Sequence, residues 1–386
     1  MNFKRAALTD KFIGRLLINI FIFLPPYPKE IPPNINFGNI LVLKLWGFGS
    51  LLEATPLFKA LKKRYPDSTI DLLTFPANKE IALSLELFRK VYVIDLRKRF
   101  LSFFWQTLRF IFRHRKKYSL VIDLEFFALF SALVTKMLGS RYSMGFKTFL
   151  AMRNRCYSRT VVFDHSNHVR IIFIKFLDAL HIKELPDITL SPPKTPADKK
   201  LLVMKKFPIL EENYLHIAVN INSSDLFINR RWPEDYFRKL IGFMQRDCNN
   251  PQIYLIGGRE DLPMVEDFYE SLPDKKGVHI TAGKLDIIEF SYALTKMNCL
   301  ITSDSGPLHI AEAVGTPVVG FFGPETPNLY GPMSERSLTF YTNMFCSPCL
   351  NVYNHKMSNC RDNQCLKLIS VEEVYEKVKL RYFNDK

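Results

Sequence analysis

Residues 299–327 read CLITSDSGPLHIAEAVGTPVVGFFGPETP. An apolar run, Cys299–Thr302, stops at the polar turn Ser303-Asp304-Ser305-Gly306. A helical segment, Pro307–Val314, follows, and a second apolar run, Pro317–Phe322, ends in Gly323-Pro324. Proline suits the first turn of a helix, where its missing N–H costs nothing. Strand, turn, helix and strand in this order make a βαβ unit of a parallel sheet. Ligands of such sheets lie at the carboxyl ends of the strands, and both apolar runs end there in small or polar residues. Ser305 and Gly306 can present backbone N–H groups at the helix start, where the dipole favours phosphate oxygens. Asp304 is expected to face the ligand, with His309 early on the helix. Helix capping accounts for Asp304 or Ser305 alone, but not for the whole cluster together with the second loop, Gly320–Pro327.

The same alternation extends in both directions. Upstream in this half come a strand at Leu215–Asn220, a helix at Pro233–Gln245 and a strand at Gln252–Ile256 ending in Gly257-Gly258. The first half has strands at Ile40–Leu45, Thr69–Leu73, Val91–Ile94 and Leu120–Leu124, and a helix at Leu51–Tyr65. Between the halves, LPDITLSPPKTPADKK (185–200) holds four prolines and reads as a connector. The expected organisation is an N-terminal amphipathic lead-in (1–35), an α/β domain (36–190), a linker (191–212) and a second α/β domain with a cysteine-rich tail (213–368). A C-terminal helix (369–386) closes the chain, with the N-terminal domain as its candidate packing partner. Two such domains imply a cleft between them.

The chain has 386 residues, 47% apolar and 24% charged, which is core material for two ordinary domains. Disordered, collagenous and disulfide-scaffold classes are excluded. The net charge of +15 is unevenly placed. Residues 1–190 carry 30 basic and 14 acidic side chains, whereas the remainder carries 23 and 24. A basic half can face nucleic acid, an anionic membrane or a phosphorylated substrate. Much of the excess lies in Arg97–Lys117, RKRFLSFFWQTLRFIFRHRKK, with eight Lys/Arg, six aromatics and no acid. No established nucleic-acid motif accompanies it, and a basic, Phe/Trp-rich amphipathic helix suits a bilayer surface. An aromatic core face with a solvated basic face is the plainer reading. The stretch Phe12–Leu24 is too short to span a membrane and fits an interfacial helix.

Three further motifs stand out. Trp46-Gly47-Phe48-Gly49-Ser50 joins a strand to a helix, and Gly47, Gly49 and Ser50 form a candidate phosphate loop. Asn222-Ser223-Ser224-Asp225 and Asn229-Arg230-Arg231-Trp232-Pro233 follow a strand and suit phosphate recognition. Cys346, Cys349, Cys360 and Cys365 match the ligand count of a structural zinc site; two disulfides or free thiols are the alternatives. The seven cysteines do not form a secreted framework, so the cytoplasm is the default compartment.

Over roughly residues 39–383 the chain resembles glycosyltransferase family 9, the bacterial heptosyltransferases of lipopolysaccharide core synthesis. The resemblance rests on the Gly-x-Gly turn and ATPLFKALKKRYP, YSLVIDLE, RRWPEDYF, YLIGG, SDSGPLHIAEAVGTPVVGFFGPETP and the CSPCL…C…CL tail. It implies a GT-B architecture, two Rossmann-like domains facing a central cleft. The implied donor is a nucleotide sugar, ADP-heptose first, bound mainly by the C-terminal domain, and the acceptor a phosphorylated glycolipid bound by the N-terminal one. Catalysis would be inverting and need no metal. Carried over by position, Asp304, Ser305, Gly306 and His309 hold the donor, with Ser223 and Ser224 nearby. Arg230 falls at or near the family's donor-binding lysine. The expected location is cytoplasmic, peripheral to the anionic inner-membrane surface, without nucleic acid as a partner.

One departure matters. The family places an aspartate, its proposed general base, after the second glycine of the first turn, and this chain has Ser50 there. Glu125, Glu53 and Asp123 are the substitute bases, in that order of preference for the first two. The departure admits a different nucleotide sugar in surface-polysaccharide synthesis, or an inactive glycan-binding member. A GT-B-like epimerase or hydrolase and a nucleic-acid-binding protein are the other competing readings.

Overall fold

Two six-stranded, all-parallel sheets carry the chain, one in each of two units, 1–190 and 191–386. The computed structural model describes residues 30–96, 100–126, 128–149, 151–211, 213–223, 229–351 and 358–383. Residues 1–29 of the lead-in, Arg97–Arg99 and Ser224 therefore lie outside the described residues. Among the described residues no helix is long and apolar enough to cross a membrane.

In the first unit the strands are β1 (Asn39–Leu43), β2 (Thr69–Thr74), β3 (Lys90–Val93), β4 (Leu120–Asp123), β5 (Tyr142–Lys147) and β6 (Arg159–Val162). Their order across the sheet is β3-β2-β1-β4-β5-β6. The second unit repeats the plan with β7 (His216–Asn220), β8 (Gln252–Leu255), β9 (Val278–Ile280), β10 (Cys299–Ser303), β11 (Val318–Phe322) and β12 (Leu338–Tyr341). Its order is β12-β11-β10-β7-β8-β9. Both sheets thus have the strand order of dinucleotide-binding folds. Ile40–Leu43 of β1 and all of β4, β7 and β10 are buried, as strands covered by helices on both faces must be. In each sheet the connections leave the central pair, β1/β4 or β7/β10, in opposite directions, which opens a crevice at their carboxyl ends.

Three expectations change. The helix expected over Leu51–Tyr65 is two helices, Phe48–Glu53 and Thr55–Arg64. Pro56, in the first turn of the second helix, cannot donate the N–H that would continue the first. The expected linker 191–212 contains a helix, Ala197–Lys206, whose Lys206 Nζ donates to Glu289 Oε2 at 3.0 Å, so it belongs to the second unit. The final helix, Val371–Tyr382, buries Val371, Val374, Tyr375 and Val378 in the core of the second unit.

Candidate functional site

In the second unit the crevice is built from the ends of β7 and β10. Asn220, the last residue of β7, donates Nδ2 to Thr302 Oγ1 and to Ser305 Oγ, both at 3.0 Å. Ser305 precedes the helix Gly306–Val314, but its hydroxyl turns inward and shares a 2.9 Å hydrogen bond with Thr302 Oγ1. The helix start therefore has no side-chain cap, and its positive dipole end is directed at the crevice. His309 is buried within the first turns of this helix. Asp304 is held by its own N–H, which donates to Phe321 O at 3.1 Å.

Arg230 meets Asp304 here. Its Nη1 lies 3.2 Å from Asp304 Oδ2, and its Nη2 lies 4.0 Å from Glu325 Oε2 in the loop after β11. All three side chains are largely buried. One guanidinium is thus flanked by two carboxylates at the uncapped start of a helix. Arg231 reaches back to Ser223 O at 3.4 Å, tying the arginine loop to the end of β7. Trp232, fully buried, donates its backbone N–H to Ser303 Oγ at 3.1 Å and stacks on Phe321.

The cysteine-rich tail clasps this loop from the other side. Asn363 Nδ2 donates to Asn229 O at 3.1 Å and Arg231 O at 2.8 Å, on either side of Arg230. Leu350 N donates to Pro324 O at 2.7 Å, and Ser347 Oγ to Gly323 O at 2.6 Å. At Gly323 a Cβ would stand 2.6 Å from Cys365 Sγ, so a side chain there would force the cysteine to shift. All seven cysteines are free, so the disulfide reading is not realised. Burial, then the neighbouring thiols, push the Cys365 thiol up to about 11. Among the described residues no group of three or more His, Cys, Asp or Glu is placed to hold a metal ion.

In the first unit the crevice holds the turn Trp46–Ser50. Gly47 adopts φ 76°, a conformation that disfavours side chains, and begins the helix Phe48–Glu53. Ser50 Oγ donates to Gly47 O at 2.9 Å and Trp46 O at 3.3 Å. The backbone before the turn is fixed from two sides. Asn78 Nδ2 donates to Leu45 O at 3.1 Å, and Thr74 Oγ1 to Lys44 O at 2.6 Å.

The three candidate bases are placed differently from the sequence expectation. Glu125 Oε1 accepts from Lys44 Nζ at 2.8 Å, Leu45 N at 2.7 Å and Trp46 N at 3.2 Å. Glu53 Oε2 pairs with Arg170 Nε at 2.8 Å, with His168 Nδ1 4.0 Å away. Asp123 accepts from Tyr157 Oη at 2.6 Å and from Glu125 N at 3.0 Å, with Arg153 Nη2 at 3.6 Å. Burial raises its pKa, against the pull of Arg153 and the Tyr157 hydrogen bond. All three carboxylates are buried and held by partners. As they stand, each holds backbone or a cation. Glu125, the preferred base of the three, is the buried counterion of Lys44. Its partner Lys44 interrupts an otherwise apolar strand run, which was the sequence signal for it.

A family model described as glycosyltransferase family 9 (heptosyltransferase) matches residues 105–358. Lipooligosaccharide heptosyltransferase 2 of Haemophilus influenzae is 28% identical over 110 residues, 28% of this chain and 31% of that protein. Lipopolysaccharide heptosyltransferase 1 of Campylobacter coli is 23% identical over 293 residues, 74% of this chain and 83% of that protein. Among solved structures, a family 9 glycosyl transferase from Veillonella parvula superposes with a TM-score of 0.73 at 22% identity, covering 91% of this chain and 98% of the other. The E. coli ADP-heptose lps heptosyltransferase II follows with a TM-score of 0.71 at 17% identity, covering 90% and 99%. The fold is that of these GT-B enzymes.

Proposed function

The chain belongs to glycosyltransferase family 9, the heptosyltransferases, and on that footing we propose that it moves heptose from ADP-heptose, with inversion, onto a lipopolysaccharide-core or related glycolipid acceptor. The observation that carries the donor half is Arg230, held 3.2 Å from Asp304 at the uncapped start of the helix Gly306–Val314. A cation and a helix dipole at one point fit a nucleoside diphosphate. ADP-heptose is favoured because the E. coli structure of the same fold carries that name.

In the proposed reaction the acceptor hydroxyl oxygen attacks the anomeric carbon from the face opposite the diphosphate. The bond from that carbon to the phosphate oxygen breaks, and its electron pair leaves with ADP. Arg230, the helix start and the hydroxyl of Ser223 stabilise the charge growing on the diphosphate. Asp304 and His309 hold the sugar. The hydroxyl proton becomes acidic only as the new bond forms. The turn Gly47, Gly49 and Ser50 holds the acceptor; with no carboxylate at Ser50 the hydroxyl proton passes to solvent water as the new bond forms, at a cost in rate. Glu125 acts as a positioning residue that fixes Leu45 and Trp46 for that turn. These steps use no cofactor. A lipid-anchored acceptor places the protein at the cytoplasmic face of the inner membrane.

The test is a transfer assay on the full chain with a heptose-free lipopolysaccharide core as acceptor. The account expects ADP release from ADP-heptose and an inverted anomeric configuration in the product. Turnover with UDP-, GDP- or TDP-sugars alone would overturn the donor assignment, and retention of configuration would overturn the mechanism.

A further inference from the structure

The helix Phe100–His114 has two apolar faces. Phe110 and Ile111 are buried in the core of the first sheet, with Phe103 packed against it. On the other side Leu101 is 68% exposed, Phe104 42%, Trp105 66% and Phe112 68%. At 100° per residue these four side chains fall on one stripe, opposite the packed face. This differs from the plainer expectation of an aromatic core face with a solvated basic one: the exposed face is aromatic as well. Exposed Arg109 and Arg113 run along its edge. The helix then enters the exposed turn Arg115-Lys116-Lys117. There Lys116, Lys117 and Arg141 line a cavity of about 430 Å³ at the foot of β1 and β4.

We propose that this face docks the protein on an anionic lipid bilayer. The aromatic and leucine side chains would enter the boundary between headgroups and acyl chains, and the flanking cations would meet lipid phosphates. Two observations select lipid over a protein partner. Every charged side chain of the helix and its turn is a cation, since residues 97–117 contain no acid. The stripe also offers no hydrogen-bonding side chain except the Trp105 indole, whose amphipathic ring suits the headgroup level. The inference deepens the membrane part of the proposed function by naming the surface. It is read by binding alone, so it stands or falls separately from turnover.

Vesicle binding of the full chain tests it, using phosphatidylethanolamine with phosphatidylglycerol against pure phosphatidylcholine. Of the three tryptophans, Trp232 is buried and Trp46 half-buried, so Trp105 is the exposed reporter. Anionic vesicles should shift the emission to the blue, and W105F should abolish the shift while preserving binding. The exposed-site double variant W105S/F112S should lose partitioning by on the order of tenfold or more. Added salt should weaken binding of the parent chain. Equal partitioning of the double variant and the parent would overturn the surface assignment, even if a chain lacking residues 1–29 no longer bound. Absence of binding to either vesicle would overturn it too. A fall in oligomeric mass on making the double variant would show that a second protein covers the face instead.

Discussion

Arg230 Nη1 stands 3.2 Å from Asp304 Oδ2, although the two residues come from different loops, one after β7 and one after β10. Glu325, 4.0 Å from Nη2 in the loop after β11, makes the arginine the shared counterion of two buried carboxylates. Replacing Arg230 by Met removes the cation that Asp304 and Glu325 share. The expected loss is about 3–5 kcal/mol of unfolding free energy, as when one partner of a buried pair is removed. Adding Asp304→Asn should recover part of it. Urea unfolding of the two variants measures this, and an unchanged midpoint in Arg230→Met would show that the cluster is not stabilising.

The Lys44–Glu125 pair makes a second prediction. Both side chains are buried, with Nζ to Oε1 at 2.8 Å. Glu125→Gln leaves the Lys44 ammonium without its counterion, so thermal stability should fall by roughly 3–5 kcal/mol. The companion Lys44→Met/Glu125→Leu should be closer to the parent in stability than either single change. A Glu125→Gln chain that melts normally but has no turnover would restore Glu125 as the base.

Ser50 makes a third. If the weak step is proton removal, Ser50→Asp supplies a carboxylate at the turn and should raise kcat by about 10²-fold, the lower end of general-base effects. Donor affinity should not change. A lower kcat in Ser50→Asp with intact folding would mean that the hydroxyl itself is required.

Asn363 makes a fourth. Its two hydrogen bonds to Asn229 O and Arg231 O frame Arg230 without touching a ligand. Asn363→Ala should weaken ADP binding by roughly tenfold, the worth of one to two hydrogen bonds, while Asn363→Asp, which cannot donate, should do the same. Normal affinity in both would confine the residue to the tail.

The thiols give a pH-dependent prediction. Burial raises the Cys365 pKa to about 11, so its reactive thiolate is scarce below that pH and gains population as pH rises through it. At pH 8 a maleimide should modify exposed Cys346 quickly and Cys365 slowly. Mass spectrometry after tryptic digestion resolves the two, and rapid labelling of Cys365 would contradict its burial.

How far the sequence could be read depends on where each residue lies in the sheet. β1, β4, β7 and β10 are central and apolar on both faces, so their runs were legible and their ends fell within two residues of expectation. β5 and β6, with YSMGFK and RTVV, mix polar residues or glycine into short strands and were not identified. β9 and β12, three and four residues long at the sheet edges, were missed for the same reason. The turns that carry Arg230 and Asp304 were legible because polar residues, glycine and proline mark the strand ends locally. The roles of Glu125 and Asn363 were not, because their partners lie 81 and 132 residues away in the chain. A carboxylate at a strand end looks the same in sequence whether it serves as a base or neutralises a buried lysine. Folding distinguishes them.

Calorimetric titration of the full chain with ADP-heptose, alongside UDP-, GDP- and TDP-sugars, tests the central claim most directly when repeated on Arg230→Lys and Arg230→Ala. The account predicts that ADP-heptose binds the parent chain, that Arg230→Lys weakens it modestly, and that Arg230→Ala weakens it by on the order of 10²-fold, consistent with a charge-assisted contact to the diphosphate. Unchanged affinity in a folded Arg230→Ala chain, or no heat from any nucleotide sugar with the parent, would contradict it.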